Sequence, residues 1–472
     1  MNIETFSLMR FEWALTALIF LMLVLKLADA DQKGKGLIVW INIMLGINFI
    51  VGLLPMITGE AFSGFFQTNS LIVFEKNILN FGLLLISLMA TRYTSGLKNL
   101  LEFYILLLTS MLGVFVMLSS GHILMLYLGL EMSTIPLAAL ANYNKNERRS
   151  SEAGMKLILS SAFSTGILLF GISLLYGAVG NLDFESIATL LQPGLLSYTA
   201  MAFILGGFAF KMSIVPFHLW TADVYEGSPV PVTNYLSVIS KGSVIFIFVS
   251  VLYTVFGQLE QAWLLIISIL AILSMTIGNL FALRQDNIKR LLAFSSISQV
   301  GFVLVGIAGA SELATTSVVY FVLIYTLSNI AAFGVVGAIA DATGSESLNG
   351  TYKGLYKSNP MLALALALTL FSLAGIPPTA GFFGKLFLLT SGMSNAMYVL
   401  LSVAAINLVI SLYNYLRIVK IMFVDETESP IAAIESNKQF KLAMIISIAG
   451  IVLIGFIKPI YETINALVIA NF

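Results

Sequence analysis

Apolar stretches of about twenty residues recur along the whole chain, and this repetition limits the fold more than any other feature. A transmembrane helix needs about 20 mainly apolar residues to cross the hydrocarbon core of a bilayer. Of the 472 residues, 58% are hydrophobic and 10% are charged, whereas a soluble domain has about 25% charged residues. Lipid must therefore be the solvent for most of the chain. Fourteen apolar windows occur, at approximately 11–28, 37–57, 74–92, 101–119, 121–143, 152–180, 197–220, 230–254, 258–283, 289–310, 313–340, 360–394, 396–423 and 440–457.

These windows predict an all-α integral membrane protein with about fourteen transmembrane helices, numbered helix 1 to helix 14 in chain order. No linker-like stretch separates them, so we expect a single polytopic membrane domain over residues 1–472. The first window is long and follows few positive charges, which favours a retained helix over a cleaved signal peptide.

The distribution of basic residues predicts the orientation in the membrane. About seventeen of the 24 Lys and Arg lie in alternate loops, whereas the opposite loops hold about three, Arg10, Lys76 and Lys458. Cytoplasmic loops carry the excess of basic residues, so both termini are predicted on the periplasmic side. The segment 221–228 should be cytoplasmic and yet has no basic residue, which suggests that it folds back on the protein.

Composition also excludes several kinds of site. The formal net charge is zero and no basic patch stands out, so no nucleic-acid partner is predicted. Cysteine is absent, which excludes disulfides, thiolate-held iron–sulfur clusters and a thiol nucleophile in this chain. With only two histidines, a bis-His haem or a His-rich metal site is disfavoured. We therefore predict no metal and no bound cofactor in this chain, and expect any electron transfer to take place elsewhere.

Five ionisable residues remain inside the predicted spans. A charge at the centre of a membrane helix costs roughly 2.5–3.5 kcal/mol on insertion scales, so residues of this kind usually serve transport. Two interpretations stay open for Lys156 in helix 6: its side chain either reaches the cytoplasmic surface or belongs to a proton path. The five residues are Glu131, Lys156, Lys211, Lys241 and Lys385.

These residue types suit the transfer of protons. A buried ammonium tends to lose its proton, and a neighbouring carboxylate favours keeping it, so such groups titrate together. A row of Glu and Lys at the membrane centre can therefore act as a proton relay without a cofactor. His218 follows Lys211 by seven residues, so both are expected on one helix face. It is predicted to pass protons toward the cytoplasm, with a structural hydrogen bond as the alternative.

Helix breakers accompany three of the buried charges. Pro216 follows Lys211 by five residues, and Pro377 and Pro378 precede Lys385 in a segment with three glycines. A milder kink is expected at Pro136, five residues after Glu131. Interrupted helices beside a midplane ion site are typical of transporters, although prolines in membrane helices often serve packing alone.

Three long motifs resemble the proton-antiporter-like membrane subunits of respiratory complex I. They are PFHLWTADVYEGSPVPVTNYLS, DNIKRLLAFSSISQVGFVLVGI and GIPPTAGFFGKLFLL, in this order. The resemblance covers helices 4 to 13 and is closest to the N-type branch of that family. M-type members usually have Glu where Lys385 stands, and L-type members continue into a long lateral helix beyond helix 14.

The resemblance implies a fold of two inverted five-helix repeats, helices 4–8 and 9–13, in which helices 7 and 12 are broken. It divides the chain into helices 1–3 at 1–100, a first repeat at 101–254, a second repeat at 258–423, and helix 14 at 424–472. Each half of the sequence contains one proline-broken helix, as this fold implies.

The resemblance also implies roles for individual residues. Glu131 matches a glutamate that pairs with the helix 7 lysine, which is Lys211 here. Lys241 matches the connecting residue of helix 8, and Lys385 matches the residue that exchanges protons with the outer side. Lys156 matches a helix 6 lysine near the pair, and His218 matches the histidine of the helix 7 motif. Gln299 stands where a histidine is frequent, so a direct part for helix 10 in protonation is not expected.

On this resemblance, the chain is expected to be a proton-translocating subunit of a bacterial NADH:quinone oxidoreductase in the cytoplasmic membrane. FMN, iron–sulfur clusters and quinone would then lie in partner subunits, with K-type and M-type membrane subunits as neighbours. Three other readings stay open: a subunit of a multi-subunit sodium/proton antiporter, a membrane hydrogenase subunit, and a purely structural spacer. The buried lysines argue against the spacer, since apolar residues would serve it better.

Overall fold

The N-terminal part of the chain is helical apart from one short hairpin. In this computed structural model, residues 3–28, 35–393, 397–428 and 430–471 are described. Strands β1 (Gly59–Ala61) and β2 (Phe66–Thr68) pair antiparallel, and the amide of Gln67 donates to the carbonyl of Ser119. This hairpin, which was not predicted, covers the end of a neighbouring helix. The first helices are α1 (Ile3–Leu8), α2 (Arg10–Leu27), α3 (Lys35–Leu53), α4 (Ser70–Met89) and α5 (Thr91–Ser95).

The next group of helices corresponds to predicted helices 4–8. Two π-helical turns, Leu236–Ser240 and Val251–Val255, interrupt the regular α-helix in the last of these spans. The helices are α6 (Leu100–Leu118), α7 (Ile123–Ala141), α8 (Arg148–Val179), α9 (Phe184–Leu190), α10 (Leu195–Met212), α11 (Leu219–Gly227), α12 (Val230–Tyr235) and α13 (Lys241–Ser250).

The remaining helices correspond to predicted helices 9–14. A 3-10 turn at Gly257–Leu259 precedes them, and a π-helical turn at Leu348–Tyr352 follows the longest one. They are α14 (Glu260–Ala282), α15 (Ile288–Ile307), α16 (Glu312–Thr343), α17 (Leu355–Ser358), α18 (Pro360–Ala374), α19 (Ala380–Gly392), α20 (Tyr398–Phe423), α21 (Lys438–Leu453) and α22 (Lys458–Ile469).

The all-α membrane fold is confirmed by the length and hydropathy of these helices. Within the described residues, 11 spans are long and apolar enough to cross a membrane. The number rises to 12 if α21 and α22, which are bent by 83°, form one span. The two other predicted spans correspond to α2, which carries Arg10, Glu12 and Lys26, and to the short pair α18 and α19. The count of fourteen, the inverted repeats and the domain boundaries stay predictions.

Two predicted spans are divided between separate helices. Helix α10 ends at Met212, Ser213 adopts a left-handed conformation with φ 62°, and α11 begins at Leu219. Helix α18 ends at Ala374, Gly375 has φ 83°, and α19 begins at Ala380. Proline and left-handed residues end both first halves because neither continues the helical hydrogen-bond pattern.

Pro136, by contrast, does not break its helix. It lies inside α7, which continues without interruption to Ala141. Its missing N–H leaves the carbonyl of Met132 without the usual helical donor. A single such loss near a helix end is tolerated in membrane helices when neighbouring groups cover the backbone. A full helix break at Pro136 is therefore absent, whereas the milder kink expected there stays a prediction.

Lys76 was placed in an outer loop by its position in the sequence, and this placement is wrong. The side chain of Asn69 accepts a hydrogen bond from the amide of Ile72, so α4 begins at Ser70 and includes Lys76. The Lys76 side chain is fully buried, and its Nζ lies 2.5 Å from Glu12 Oε1 and 2.6 Å from Ser119 Oγ. An ion pair thus joins α2 and α4 inside the bundle.

Candidate functional site

Lys211 lies at the end of α10, directly before the break in this span. Its side chain is buried, and its Nζ donates to the hydroxyls of Thr134 and Ser161, with a distance of 3.0 Å to Ser161. These hydroxyls belong to α7 and α8. The break allows an amide beyond the helix end, that of Val215, to donate to the hydroxyl of Ser274 on α14.

The predicted pair of Glu131 and Lys211 is not in direct contact. Both residues are among those described, and the hydrogen bonds of Lys211 Nζ go to Thr134 and Ser161 with no ion pair to Glu131. Instead, Lys211 donates to Thr134, which follows Glu131 by three residues and so lies on the same face of α7. Glu131 thus lies about one helical turn along α7 from the hydroxyl that binds Lys211.

His218 does not share a helix face with Lys211, so that prediction is wrong. The prediction relied on the separation of seven residues and assumed one continuous helix, but the chain leaves helical geometry between Met212 and Leu219. His218 is buried and precedes the first residue of α11. Its ring lies 6.5 Å from the ring of Phe281 on α14.

Lys241 lies at the centre of the bundle, where a π-helical turn ends. The turn Leu236–Ser240 directly precedes it, and π-turns inside helices often occur at functional sites. The Lys241 side chain is 1% exposed, and its Nζ donates to Ser296 Oγ at 2.7 Å. The ring of Tyr225 lies 5.2 Å from the same nitrogen. The ammonium thus contacts a hydroxyl and an aromatic face, with no carboxylate bound to it among the described residues.

Lys385 lies in α19, beside the second break. Its Nζ is 3.4 Å from the carbonyl oxygen of Ala374 and 4.7 Å from the ring centroid of Phe302. A Cβ added to Gly375 would stand 3.1 Å from Lys385 Cδ, so the glycine allows the lysine to approach. A cavity of about 10 Å³ adjoins Lys385, and this is close to the smallest space that holds one water molecule.

Polar groups of α15 lie between Lys241 and Lys385. Ser296 accepts from Lys241, and the neighbouring Ser295 bonds to the hydroxyl of Tyr415. Gln299 donates to Tyr415 at 2.9 Å and to the carbonyl of Leu373 at 2.9 Å. Gln299 also lines the cavity beside Lys385. Helix α15 therefore supplies a hydroxyl that binds Lys241 and an amide beside the cavity at Lys385. The expectation that helix 10 has no direct part in protonation stays a prediction.

Lys156 has partners that the sequence did not reveal. Its Nζ lies 2.6 Å from Glu152 Oε1 and 2.6 Å from Asp223 Oδ2, and its side chain is 40% exposed. Asp223 belongs to α11, which overlaps the segment 221–228 predicted to fold back on the protein. The Lys156 side chain is therefore partly exposed and held by two carboxylates, and both interpretations of this residue stay predictions.

Three further charged residues missed by the sequence analysis meet at α11. Arg290 on α15 lies 2.6 Å from Asp223 Oδ1 and 2.8 Å from Glu226 Oε2. We refer to Lys156, Asp223, Glu226 and Arg290 as the α11 ion-pair cluster. The lack of basic residues in 221–228, together with its two acidic ones, was the available signal for it.

The cluster fixes the ionisation of Asp223. Partial burial raises the pKa of this carboxyl, but hydrogen bonds from Lys156 and Arg290 outweigh burial and hold its pKa below its usual range. Asp223 is therefore an anion at neutral pH. As for metals, no group of three or more His, Cys, Asp or Glu within the described residues is arranged to hold an ion.

Comparison with known proteins gives a consistent result. Residues 120–411 match the family described as NADH:quinone oxidoreductase/Mrp antiporter, TM. The chain is 44% identical over 413 residues to NADH-quinone oxidoreductase subunit N of Azobacteroides pseudotrichonymphae, covering 87% of this chain and 86% of that protein. It is 40% identical over 477 residues to the subunit N of Phocaeicola vulgatus, covering 98% and 99%.

A solved structure shares the fold. A chain of respiratory complex I from Thermus thermophilus, solved with bound aureothin, superposes with a TM-score of 0.81. The two chains are 26% identical, and the match covers 97% of this chain and 99% of that one.

Proposed function

Because this chain belongs to the family of transmembrane subunits that NADH:quinone oxidoreductases share with Mrp antiporters, we propose that it is the N-type proton-translocating subunit of an NADH:quinone oxidoreductase. Electron transfer from NADH to quinone in other subunits would supply the energy. This chain would move protons across the membrane and carry no redox group of its own.

One observation supports this proposal above all others. Lys211, Lys241 and Lys385 are each buried, and each lies at a helix break or a π-turn. Burying three amines costs several kcal/mol on insertion scales, and packing alone gives no reason to accept that cost. None of the three forms an ion pair within the described part of the chain, so hydroxyls, a carbonyl and aromatic faces surround them. Such neighbours tolerate both the protonated and the neutral amine.

The order of these contacts suggests the route of the proton. At one end Lys211 binds Thr134, one helical turn from Glu131. Ser296 and Gln299 follow Lys241, and Lys385 stands at the other end. A proton released from one amine passes to the next through hydroxyls and water, while movement of the Glu131 charge favours loading or release at Lys211. Lys156 and His218, near α11, are proposed to exchange protons between the relay and that end of the bundle.

The surroundings of the chain are part of the same proposal. FMN, iron–sulfur clusters and quinone are proposed to lie in partner subunits. For the iron–sulfur clusters the reason is direct, because a chain without cysteine has no thiolate to hold them. K-type and M-type membrane subunits are the proposed neighbours. The location is the bacterial inner membrane, with both termini on the periplasmic side, since the alternate loops that hold most Lys and Arg are then cytoplasmic.

A second candidate is a subunit of a sodium/proton antiporter, because the family description also names Mrp antiporters. A membrane hydrogenase subunit is a related alternative. The same buried lysines would serve either one, and no NADH dehydrogenase would be attached. The two curated relatives above favour the oxidoreductase, since both carry the name of its subunit N.

A native gel of mildly solubilised membranes separates these candidates. The gel is stained for NADH dehydrogenase activity and probed for a tag on this chain. A tag in a large NADH-oxidising band supports the oxidoreductase. A tag in a band without this activity contradicts it and favours the antiporter, for which sodium-dependent proton movement is the next measurement.

Lysine variants then test the relay within the assembled complex. Lys241→Met keeps the length of the side chain and removes the titratable group. It is expected to assemble and to lower proton pumping at least about tenfold, because a positioned proton-transfer group contributes roughly 10²–10⁴-fold. Lys357→Met, at an exposed ion pair with Glu426, is the matched control and should pump normally. Normal pumping by Lys241→Met would contradict the relay.

A further inference from the structure

Helix α11 carries two different surfaces in only nine residues. Asp223 and Glu226 are three residues apart and therefore lie on one face. Tyr225 follows Asp223 by two residues, which is about 200° around the helix axis, and so it points the other way. The acidic face binds the basic residues of the cluster, Lys156 and Arg290, while the tyrosine ring lies against Lys241.

The acidic face connects both halves of the bundle. Asp223 accepts from Lys156 of α8 through one oxygen and from Arg290 of α15 through the other, each at 2.6 Å. Glu226 adds contacts to Arg290 at 2.8 Å and to Arg149 at 3.3 Å. Because α8 precedes α11 and α15 follows it in the other half, Asp223 fixes α11 to elements of both.

Both ends of α11 are attached near the relay. The indole nitrogen of Trp220 donates to the carbonyl of Phe210 at 3.1 Å, directly beside Lys211. Gly227 packs against the backbone of α8, and a Cβ there would stand 2.2 Å from the carbonyl oxygen of Arg149. A shift of α11 therefore changes the surroundings of Lys211 through Trp220 and those of Lys241 through Tyr225.

We propose that Asp223 is a positioning residue of the proton relay, which acts by holding α11 so that Tyr225 lies against Lys241. This inference rests on the proposed proton-translocating function and adds a residue to it. Asp223 transfers no proton in this scheme. It sets the place of α11, and through α11 it sets the contacts of Lys241 and Lys211.

The competing explanation is that Asp223 matters only through the charge of Lys156. The chain offers a matched control, because Glu152 also lies 2.6 Å from Lys156 Nζ but belongs to α8. Glu152→Gln removes one carboxylate from Lys156 and leaves α11 in place. Asp223→Asn removes the other carboxylate and weakens the hold on α11 as well.

The experiment compares Asp223→Asn, Asp223→Glu and Glu152→Gln in the whole complex. Assembly, NADH:quinone reductase activity and protons moved per NADH are measured for each. We expect Asp223→Asn to assemble and to move about two- to tenfold fewer protons per NADH, the size of a coupling effect carried by one contact network. Asp223→Glu should restore most of the pumping, and Glu152→Gln should leave it unchanged. Equal losses in Asp223→Asn and Glu152→Gln, or no loss in the former, overturn the proposal.

A double-mutant cycle tests the path through Tyr225 and keeps the proposal falsifiable if Asp223→Asn folds poorly. Tyr225→Leu alone and Tyr225→Leu with Asp223→Asn are compared for protons moved per NADH. If Asp223 acts through Tyr225, the double variant loses no more than the worse single variant, whereas independent effects multiply. Multiplied losses contradict the proposal.

Lys241→Met in the same series distinguishes a failure of the proposed proton-translocating function from a failure of the positioning role of Asp223. Normal pumping by Lys241→Met removes the proposed function itself. A pumping defect in Lys241→Met together with normal pumping in Asp223→Asn removes only the positioning role.

Discussion

The amine of Lys241 donates to the hydroxyl of Ser296 at 2.7 Å, and this contact joins α13 to α15. Both residues are buried at the centre of the bundle. From Ser296 the polar groups of α15 continue toward Lys385 through Gln299. In the proposed relay, this contact is the step from Lys241 toward Lys385.

Removing this hydroxyl tests the junction. Ser296→Ala is expected to lower proton pumping by about tenfold or somewhat more, since a hydrogen bond to a charged group contributes about 1.5–3 kcal/mol. Ser298→Ala, two residues away on α15, is the control because its buried hydroxyl has no hydrogen-bond partner in the described structure. Proton movement per NADH in inverted membrane vesicles is the measurement. Equal pumping by the two variants would show that the Ser296 contact is not on the route.

The conformation of Gly375 gives a second prediction. Its φ of 83° suits glycine, and an added Cβ would meet Lys385 Cδ at 3.1 Å. Gly375→Ala is expected to destabilise this segment by about 1–2 kcal/mol, because L-residues pay that much in left-handed backbone. It should also lower pumping by displacing Lys385. The control is Gly177→Ala on α8, where an added Cβ meets nothing within 4 Å. Pumping and thermal stability of the purified complex are measured, and a neutral Gly375→Ala would contradict the prediction.

The buried pair of Glu12 and Lys76 gives a prediction about stability alone. Removing one partner leaves an uncompensated charge, which typically costs about 3–5 kcal/mol. Glu12→Gln or Lys76→Met should therefore reduce the amount of assembled chain. The double change Glu12→Leu with Lys76→Met should restore assembly, since apolar replacement of a buried pair is often neutral. Native gels report assembly, and the assembled fraction should pump normally. A double variant worse than either single one would refute this account.

Asp223 gives a prediction about pH. Its pKa is held below the usual range by Lys156 and Arg290, so its contribution to stability is complete above the unfolded pKa of about 4. That contribution is lost only as the pH falls through the lower pKa of the folded state. Hydrogen exchange of Leu219–Gly227, corrected for intrinsic rates, should therefore be constant between about pH 5 and 8.

The same measurement should show faster exchange of Leu219–Gly227 in Asp223→Asn than in the wild-type chain. Glu152→Gln serves as the control and should exchange like the wild type. Protection that already declines between about pH 7 and 6 would mean that another group holds α11.

The relation between sequence and structure differs from one residue to another. Lys211, Lys241 and Lys385 could be identified from sequence because a charge within an apolar window is visible without tertiary information. The divided helices were predicted for a similar reason, since proline and glycine act on their own backbone. His218 was misplaced because the seven-residue spacing from Lys211 assumed one continuous helix, whereas the chain leaves helical geometry between them. At Pro136 the helix continues, because a local rule gives the tendency to interrupt a helix and not whether the surroundings compensate for it.

The sequence alone determined that the chain is a membrane protein with buried amines, because hydropathy and charge are properties of single residues summed over a window. Only the tertiary structure decided the partners of these amines. In the described structure, Lys211 binds hydroxyls and forms no ion pair with Glu131. Lys156 pairs with the carboxylate of Asp223, and the side chain of Lys76 is buried inside the bundle. The physical reason is that an ion pair or hydrogen bond depends on distances of about 3 Å between helices distant in sequence, and helix packing alone sets those distances.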